Sequence, residues 1–157
     1  MAKTFNDLIA DALASGVTEI FPWDLQERLE QQPETLLLDI REPEEFNGAH
    51  IENSLHVPRG ILEQACEWDY AETIPDLVNA RQKEVIVICR SGNRSVLAAQ
   101  TMIWLGYENV VSLKTGVKGW NDADLPLIDK KGEAADPDWA EGFFNPPVRD
   151  DQLSENN

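Results

Sequence analysis

The sequence has few of the residues that bind metals or form disulfides. It contains two cysteines, Cys66 and Cys89, and two histidines, His50 and His56. Two cysteines that lie far apart in a sequence form neither a disulfide framework nor a metal cluster. With so few histidines as well, the composition argues against metal chemistry. We therefore predict a protein that uses no metal and no cofactor.

Long hydrophobic runs are also absent. No apolar stretch approaches the roughly 20 residues that a membrane helix needs. Residues 1–16 have neither the sustained apolar segment nor the cleavage site of a secretory signal. The sequence thus predicts no membrane partner, and we expect a cytoplasmic protein.

Basic residues are scarce, with 13 lysines and arginines against 29 acidic residues and a net charge of −16. This balance argues against nucleic acid or an anionic membrane surface as a partner. The segment from residue 85 to 119 differs, since it contains four bases (Arg90, Arg94, Lys114 and Lys118) and one acid, Glu108. Charge alone leaves two interpretations of this basic segment open, an anion site or a solvated helix surface.

The length of 157 residues and the hydrophobic share of 42% are typical of one globular domain. Apolar segments of strand length alternate with segments of helical periodicity. Strands are predicted over 18–21, 35–40, 54–57, 85–89 and 110–113, and helices over 4–15, 22–31, 61–68, 72–80, 93–105 and 117–120. The alternation predicts the α/β fold class, with a mainly parallel central sheet and helices on both faces.

The composition divides the chain into three parts. We predict an N-terminal helical extension over residues 1–16, a central domain over 17–127, and an acidic C-terminal tail over 128–157. The tail is rich in acid and proline, so it is expected to be docked at most in part and disordered at its end. The helix before the domain and the tail after it are each open to two interpretations, a cover for the sheet edge or a surface for a partner or homodimer. Three tryptophans are predicted in the core, namely Trp23, Trp104 and Trp120.

One loop has the features of a reactive site. The apolar strand that begins at Val85 ends at Cys89, and a helix follows after the polar or small residues Arg90, Ser91, Gly92, Asn93, Arg94 and Ser95. Ligands of open α/β sheets bind at this edge, where loop amides and a helix N-terminus form an anion site. The helix dipole and nearby cations favour a nucleophilic thiolate at Cys89. The alternative is a small buried hydrophobe, but the loop residues contribute nothing to a core.

Four motifs resemble those of one family. Cys89 to Ser95 resembles the active-site loop of the rhodanese-like sulfurtransferases. The segment Leu38 to Ile51 is similar to the family's D-x-R-x-x-x-E-F-x-x-G-H-I, with Ala49 as one extra residue. His-Val-Pro-Arg-Gly at 56–60 resembles the motif that comes next in the family. The segment that ends at Trp120 resembles the family's G-G-x-x-x-W, with Thr115 where glycine is usual. Because the motifs follow the family's order over roughly residues 17 to 127, the chain is identified as a single-domain member of this family.

The resemblance implies a rhodanese-like fold and an enzyme in which Cys89 is the catalytic residue. Cys89 would take sulfane sulfur as a persulfide from a small anionic donor, thiosulfate or a low-molecular-weight persulfide. It would pass that sulfur to a thiophilic acceptor, cyanide in an assay and a thiol or protein cysteine in the cell. Asp39, Arg41 and His50 occupy family positions that imply structural support.

The loop residues are expected to bind the substrate and the persulfide. Arg90 would attract the anionic donor or is a solvated charge, and Arg94 borders the loop or pairs with an acid beneath it. Ser91, Asn93 and Ser95 cap the helix or orient the loop. Gly92 is expected to supply a backbone angle that other residues resist.

Other functions stay open at this point. A non-catalytic or redox-sensing binding module on the same fold would leave Cys89 idle or make it a sensor. The cysteine-dependent phosphatases and arsenate reductases of the related fold have one residue more between cysteine and arginine, which favours sulfur transfer here. Cys66 has no basic neighbour in the sequence, so an inert thiol is expected, with a resolving cysteine as the alternative.

Overall fold

The computed structural model describes residues 1–155, which form a five-stranded sheet flanked by helices. The strands are β1 (Thr18–Ile20), β2 (Leu36–Asp39), β3 (Leu55–His56), β4 (Glu84–Ile88) and β5 (Asn109–Leu113). The helices are α1 (Phe5–Ala14), α2 (Pro22–Gln31), α3 (Pro43–Gly48), α4 (Leu62–Ala65), α5 (Pro75–Val78), α6 (Arg94–Trp104), α7 (Gly116–Asp122) and α8 (Pro137–Phe143). Within the described residues, no helix has the length and apolarity needed to cross a membrane.

The sheet has the strand order β1-β5-β4-β2-β3, and every neighbouring pair is parallel. Parallel neighbours need crossover connections, which the helices provide. Strand β4 lies at the centre, and its residues from Val85 to Ile88 have no exposed surface. The predicted α/β class with a parallel sheet and helices on both faces is confirmed.

Alternate residues of β4 contribute to two hydrophobic cores. Val85 and Val87 point to one face, which α1, α4, α5 and α6 cover, while Ile86 and Ile88 point to the face covered by α2, α7 and α8. Successive side chains of a strand point to opposite faces, so a run with no polar alternation is buried on both sides. Cys89 continues the first series and belongs to the core that contains α6.

The terminal segments both pack on the sheet's helical layers. Ala12 of α1 is fully buried in the first core, and Ala140 and Phe144 are buried in the second. Ile128 forms two backbone hydrogen bonds with His50 of 2.9 Å each. The sequence does not predict α8, because its segment is acidic and rich in proline. The two residues that are buried, Ala140 and Phe144, lie four positions apart and give only a weak helical pattern. The division into three parts stays a prediction, and the extreme end of the tail, residues 156 and 157, lies outside the described residues.

Two of the three tryptophan predictions are wrong. Trp120 is buried with 3% exposure, but Trp23 is 56% and Trp104 is 76% exposed. In α6 the residues at helical spacing that face the core include Ala98, Ala99 and Met102. Trp104 is out of phase with that buried stripe, and Trp23 is out of phase with the buried residues at 22 and 25 of α2. Hydrophobicity alone therefore misplaced both side chains.

Candidate active site

Cys89 lies at the carboxyl end of the central strand, directly after β4. Only 1% of the residue is exposed. The backbone amides of Gly92 and Ser95 both donate to its Sγ, over 3.1 Å and 3.3 Å. Two amides directed at one sulfur atom stabilise negative charge on it. The loop therefore forms a cradle of amides around the sulfur of Cys89.

The conformation of the loop depends on two glycines. Gly92 has φ +90°, and Gly116, the first residue of α7, has φ +61°. A Cβ on Gly92 would lie 2.8 Å from the backbone nitrogen of Thr115. A Cβ on Gly116 would overlap the carbonyl oxygens of Cys89 and Arg90. Side chains at these two positions would thus push α7 away from the loop.

Helix α7 also fixes the first two residues of the loop by hydrogen bonds. The amide of Val117 donates to the carbonyl of Cys89 and the amide of Lys118 donates to that of Arg90, each over 3.0 Å. Thr115, at the position where the resembling motif usually has glycine, has φ +69°. This left-handed conformation costs a non-glycine residue on the order of 1–2 kcal/mol. The conformation explains physically why glycine suits the position.

A chain of buried hydroxyls continues behind the cysteine. Sγ of Cys89 is 3.2 Å from Oγ of Ser95, which is 2.7 Å from Oγ of Ser112 on β5. Both serines have no exposed surface. Because hydroxyls rotate, they can accept from the thiol or donate toward a thiolate. Ser112 is not identified from the sequence. The signal for it is a serine within the otherwise apolar strand Asn109–Leu113.

Arg94 is bound by a carboxylate from another helix. Its Nη1 and Nη2 donate to the two carboxylate oxygens of Glu45 on α3, over 3.0 Å and 2.8 Å. This hydrogen bond raises the pKa of Arg94, although burial opposes it. Burial acts to raise the pKa of Glu45, but hydrogen bonds from Arg94 and from the Glu42 amide, with the charges of Arg94 and Arg41, lower it overall. Arg94 therefore pairs with an acid, which is one of the two arrangements that the sequence predicts for it.

The remaining loop residues lie toward solvent. Arg90 is partly exposed, and Ser91 and Asn93 are exposed. Asn93 occupies the N-cap of α6, but its side chain makes no capping hydrogen bond in the described part of the chain. Its φ of −91° and ψ of −53° are helical, whereas capping side chains reach the amides from an extended residue. The predicted capping role is therefore not seen for Asn93.

Asp39 and Arg41 form a buried ion pair beside the cradle. Both side chains have no exposed surface, and Nη2 of Arg41 lies 2.8 Å from Oδ2 of Asp39. Nε and the backbone amide of Arg41 also donate to this carboxylate, and Nη2 donates to the carbonyl of Ala49. Asp39 is the register partner of Ile88, the residue before Cys89. The pair therefore lies at the edge of the sheet from which the loop begins.

His50 and His56 enclose one aromatic ring. They stack on Phe46 with ring centroids at 3.8 Å and 4.4 Å. His50 Nδ1 is hydrogen-bonded to the carbonyl of Phe46, and His56 Nε2 to the carbonyl of Arg41. These contacts place both histidines in the framework around α3 and not at the sulfur.

Cys66 lies apart from the cradle, just after α4. It is a free and fully buried thiol. Burial raises the pKa of Cys66, while a hydrogen bond with Tyr107 acts in the opposite direction. A protonated, buried thiol is a poor nucleophile, so the surroundings of Cys66 match the expected inert thiol and not the resolving cysteine.

The parallel sheet and the cysteine loop at its carboxyl edge define an α/β protein with a cradle of amides around a buried cysteine sulfur. The sequence matches the model of the rhodanese-like domain over residues 22–123, and the chain belongs to this family.

Relatives of known class support sulfur transfer in general. A sulfurtransferase of Allochromatium vinosum is 30% identical over 116 residues, which cover 74% of this chain and 99% of that protein. The thiosulfate sulfurtransferase GlpE of Tolumonas auensis is 34% identical over 90 residues, which cover 57% of this chain and 76% of that protein. The chain spans 62% of the length of another curated relative, to which it is 33% identical.

Among solved structures, the fold is similar to a protein of unknown function from Rhodopseudomonas palustris described as a possible tyrosine phosphatase. The TM-score is 0.71 at 25% identity, and the match covers 81% of this chain and 96% of that one. The fold alone therefore does not separate sulfur transfer from phosphatase chemistry.

Proposed function

We propose that the protein is a sulfurtransferase that carries sulfane sulfur as a persulfide on Cys89. The observation that carries this proposal is the pair of backbone amides, from Gly92 and Ser95, that donate to Sγ at 3.1 Å and 3.3 Å. They stabilise the thiolate before transfer. After transfer, amides of the same loop stabilise the negative charge of the persulfide.

The reaction takes place in two displacement steps. The Cys89 thiolate attacks the sulfane sulfur of thiosulfate, the S–S bond of the donor breaks, and sulfite leaves with the bonding electron pair. A persulfide donor reacts in the same way and releases its thiolate. The acceptor, cyanide or the thiolate of a small molecule or protein, then attacks the outer sulfur of the persulfide. Sγ leaves as a thiolate, so the enzyme returns to its starting state.

The state of Arg94 favours sulfur transfer over phosphate chemistry. Both Nη atoms of Arg94 donate to the Glu45 carboxylate, so an incoming phosphate would have to compete with that carboxylate for the guanidinium. The loop is also one residue shorter than that of the phosphatases of the related fold. A shorter ring of amides suits a terminal sulfur atom better than a tetrahedral oxyanion.

The chemistry of the surroundings suggests the substrates. Arg90 is partly exposed at the start of the loop, where a cation attracts a small anionic sulfur donor. The acceptor is a thiol or a protein cysteine. The homodimer and the cytoplasmic location stay predictions, and so does the structural role of Asp39, Arg41 and His50.

Intact-protein mass spectrometry after incubation with thiosulfate or glutathione persulfide tests the proposal. We expect the mass to rise by one sulfur atom, cyanide to remove that sulfur, and Cys66→Ser to behave like the wild type. Cys89→Ser should gain nothing. A protein that takes up sulfur from neither donor would contradict the proposal and leave the non-catalytic or redox-sensing module as the interpretation.

A further inference from the structure

A groove lies beside the cysteine loop, between α2 and α7. Its volume is about 430 Å³, and its walls include Trp23, Ser91, Thr115, Lys118 and Asp122. This volume is within the range of sites for small organic ligands. Thiosulfate is far smaller and has no apolar part, so it would leave most of the groove unfilled.

The groove adjoins the loop that follows Cys89. Ser91 belongs both to the groove and to the loop that follows Cys89. Lys118, which also lines the groove, donates its amide to the carbonyl of Arg90 at 3.0 Å. A ligand in the groove therefore lies against the same loop that holds the sulfur.

The aromatic wall of the groove is exposed and ordered by its neighbours. Trp23 is 56% exposed, and its ring stacks on Phe21 with centroids at 4.7 Å and an interplanar angle of 8°. Nζ of Lys114 lies 5.0 Å from the centroid of Phe21 on this stack. A large aromatic side chain held in place but left uncovered provides apolar contact area for an organic ligand.

The groove also has one charge of each sign. Lys118 and Asp122 lie four positions apart on α7, yet neither is in an ion pair within residues 1–155. Arg90 adds a partly exposed cation close by. A ligand with a carboxylate and an ammonium group would complement both charges. The basic residues of segment 85–119, in an otherwise acidic chain, attract the carboxylate.

We propose that this groove binds the organic part of a small peptide persulfide, or of the corresponding thiol, that bears a carboxylate and an ammonium group. The inference rests on the proposed sulfur transfer through Cys89 and assigns a binding site to the organic part of its persulfide donor. In the donor direction the Cys89 thiolate attacks the outer sulfur of the persulfide, and the S–S bond of the donor breaks. The organic thiolate leaves with the electron pair and is released from the groove.

Steady-state kinetics with two donors test this inference. In Trp23→Ala, we expect kcat/KM for glutathione persulfide to fall about five- to tenfold relative to kcat/KM for thiosulfate, as for removal of a central aromatic contact. Lys118→Gln should shift the ratio in the same direction. Trp104→Ala is the matched control, because Trp104 is also exposed, at 76%, but does not line the groove; it should keep the wild-type ratio. Thermal melting of each variant checks that it is folded.

An equal loss with both donors, or no loss with either, would overturn the groove inference. A binding measurement separates this failure from failure of the proposed function. S-methylglutathione cannot transfer sulfur, and saturation-transfer NMR with the Cys89→Ser protein should show its binding, weakened by Trp23→Ala. Binding that depends on Trp23, without sulfur loading of the wild type, would refute the sulfurtransferase and keep the site. Sulfur loading from glutathione persulfide that does not depend on Trp23 would refute the site alone.

Discussion

Removing the carboxylate of Asp39 should be among the most damaging single changes to the fold. Arg41 has no exposed surface, and Asp39 accepts from its Nε, its Nη2 and its backbone amide. In Asp39→Ala, Nη2 would keep its bond to the carbonyl of Ala49, while the guanidinium would lose its counterion. A buried charge without a partner is costly because water can no longer solvate it.

The expected loss is about 3–5 kcal/mol of unfolding free energy, the usual cost of breaking one side of a buried ion pair. In a domain of this size each kcal/mol lowers Tm by about 2–4 °C, so a fall of roughly 6–20 °C is expected. Replacing both partners should cost less, since Asp39→Leu with Arg41→Met leaves no buried charge.

Urea unfolding of the wild type, Asp39→Ala and the double variant measures both effects. Thermal scans at one protein concentration provide a second measurement. A loss below about 1 kcal/mol in Asp39→Ala, the range of an exposed pair, would refute the assignment of a desolvated charge. A double variant no more stable than Asp39→Ala would show that the cost does not come from the uncompensated guanidinium.

Four further outcomes are expected. Phe144→Ala should lower the unfolding free energy by about 3–5 kcal/mol, because it removes a buried aromatic ring from the second core; a value near zero by urea unfolding would refute the docking of the tail. Glu45→Gln should destabilise the protein at neutral pH. Because folding lowers the pKa of Glu45 from 4.5, its stabilisation is fully present above that value and lost as pH falls through the folded pKa, so the variant should approach the wild type in acid. Gly92→Ala should slow sulfur loading of Cys89 in a mass-spectrometric time course, since a Cβ would lie 2.8 Å from the Thr115 nitrogen; loading at the wild-type rate would contradict this. Thr115→Gly should raise the unfolding free energy by about 1 kcal/mol or less, because relief of the left-handed conformation exceeds the entropy cost of glycine. A clear fall in Tm would oppose that reasoning.

Local sequence determined the strand, the loop and the helix around Cys89. A β-branched run forms a strand buried on both faces, and helical periodicity begins again just after the loop. The positive φ of Gly92, +90°, was expected because glycine alone adopts that region without strain. These features depend on neighbours a few residues away, so the sequence by itself is enough to predict them.

Tertiary packing alone decided which groups meet. The Arg94–Glu45 pair joins residues 49 positions apart, and Ser112 lies behind Ser95 only because β5 is the neighbour of β4. The exposure of Trp23 depends on the phase of α2 against the sheet. Docking of the tail through Phe144 depends on a cavity that other elements form. Local propensity has no information about such distant contacts, because they form only when the tertiary fold brings distant segments of the chain together.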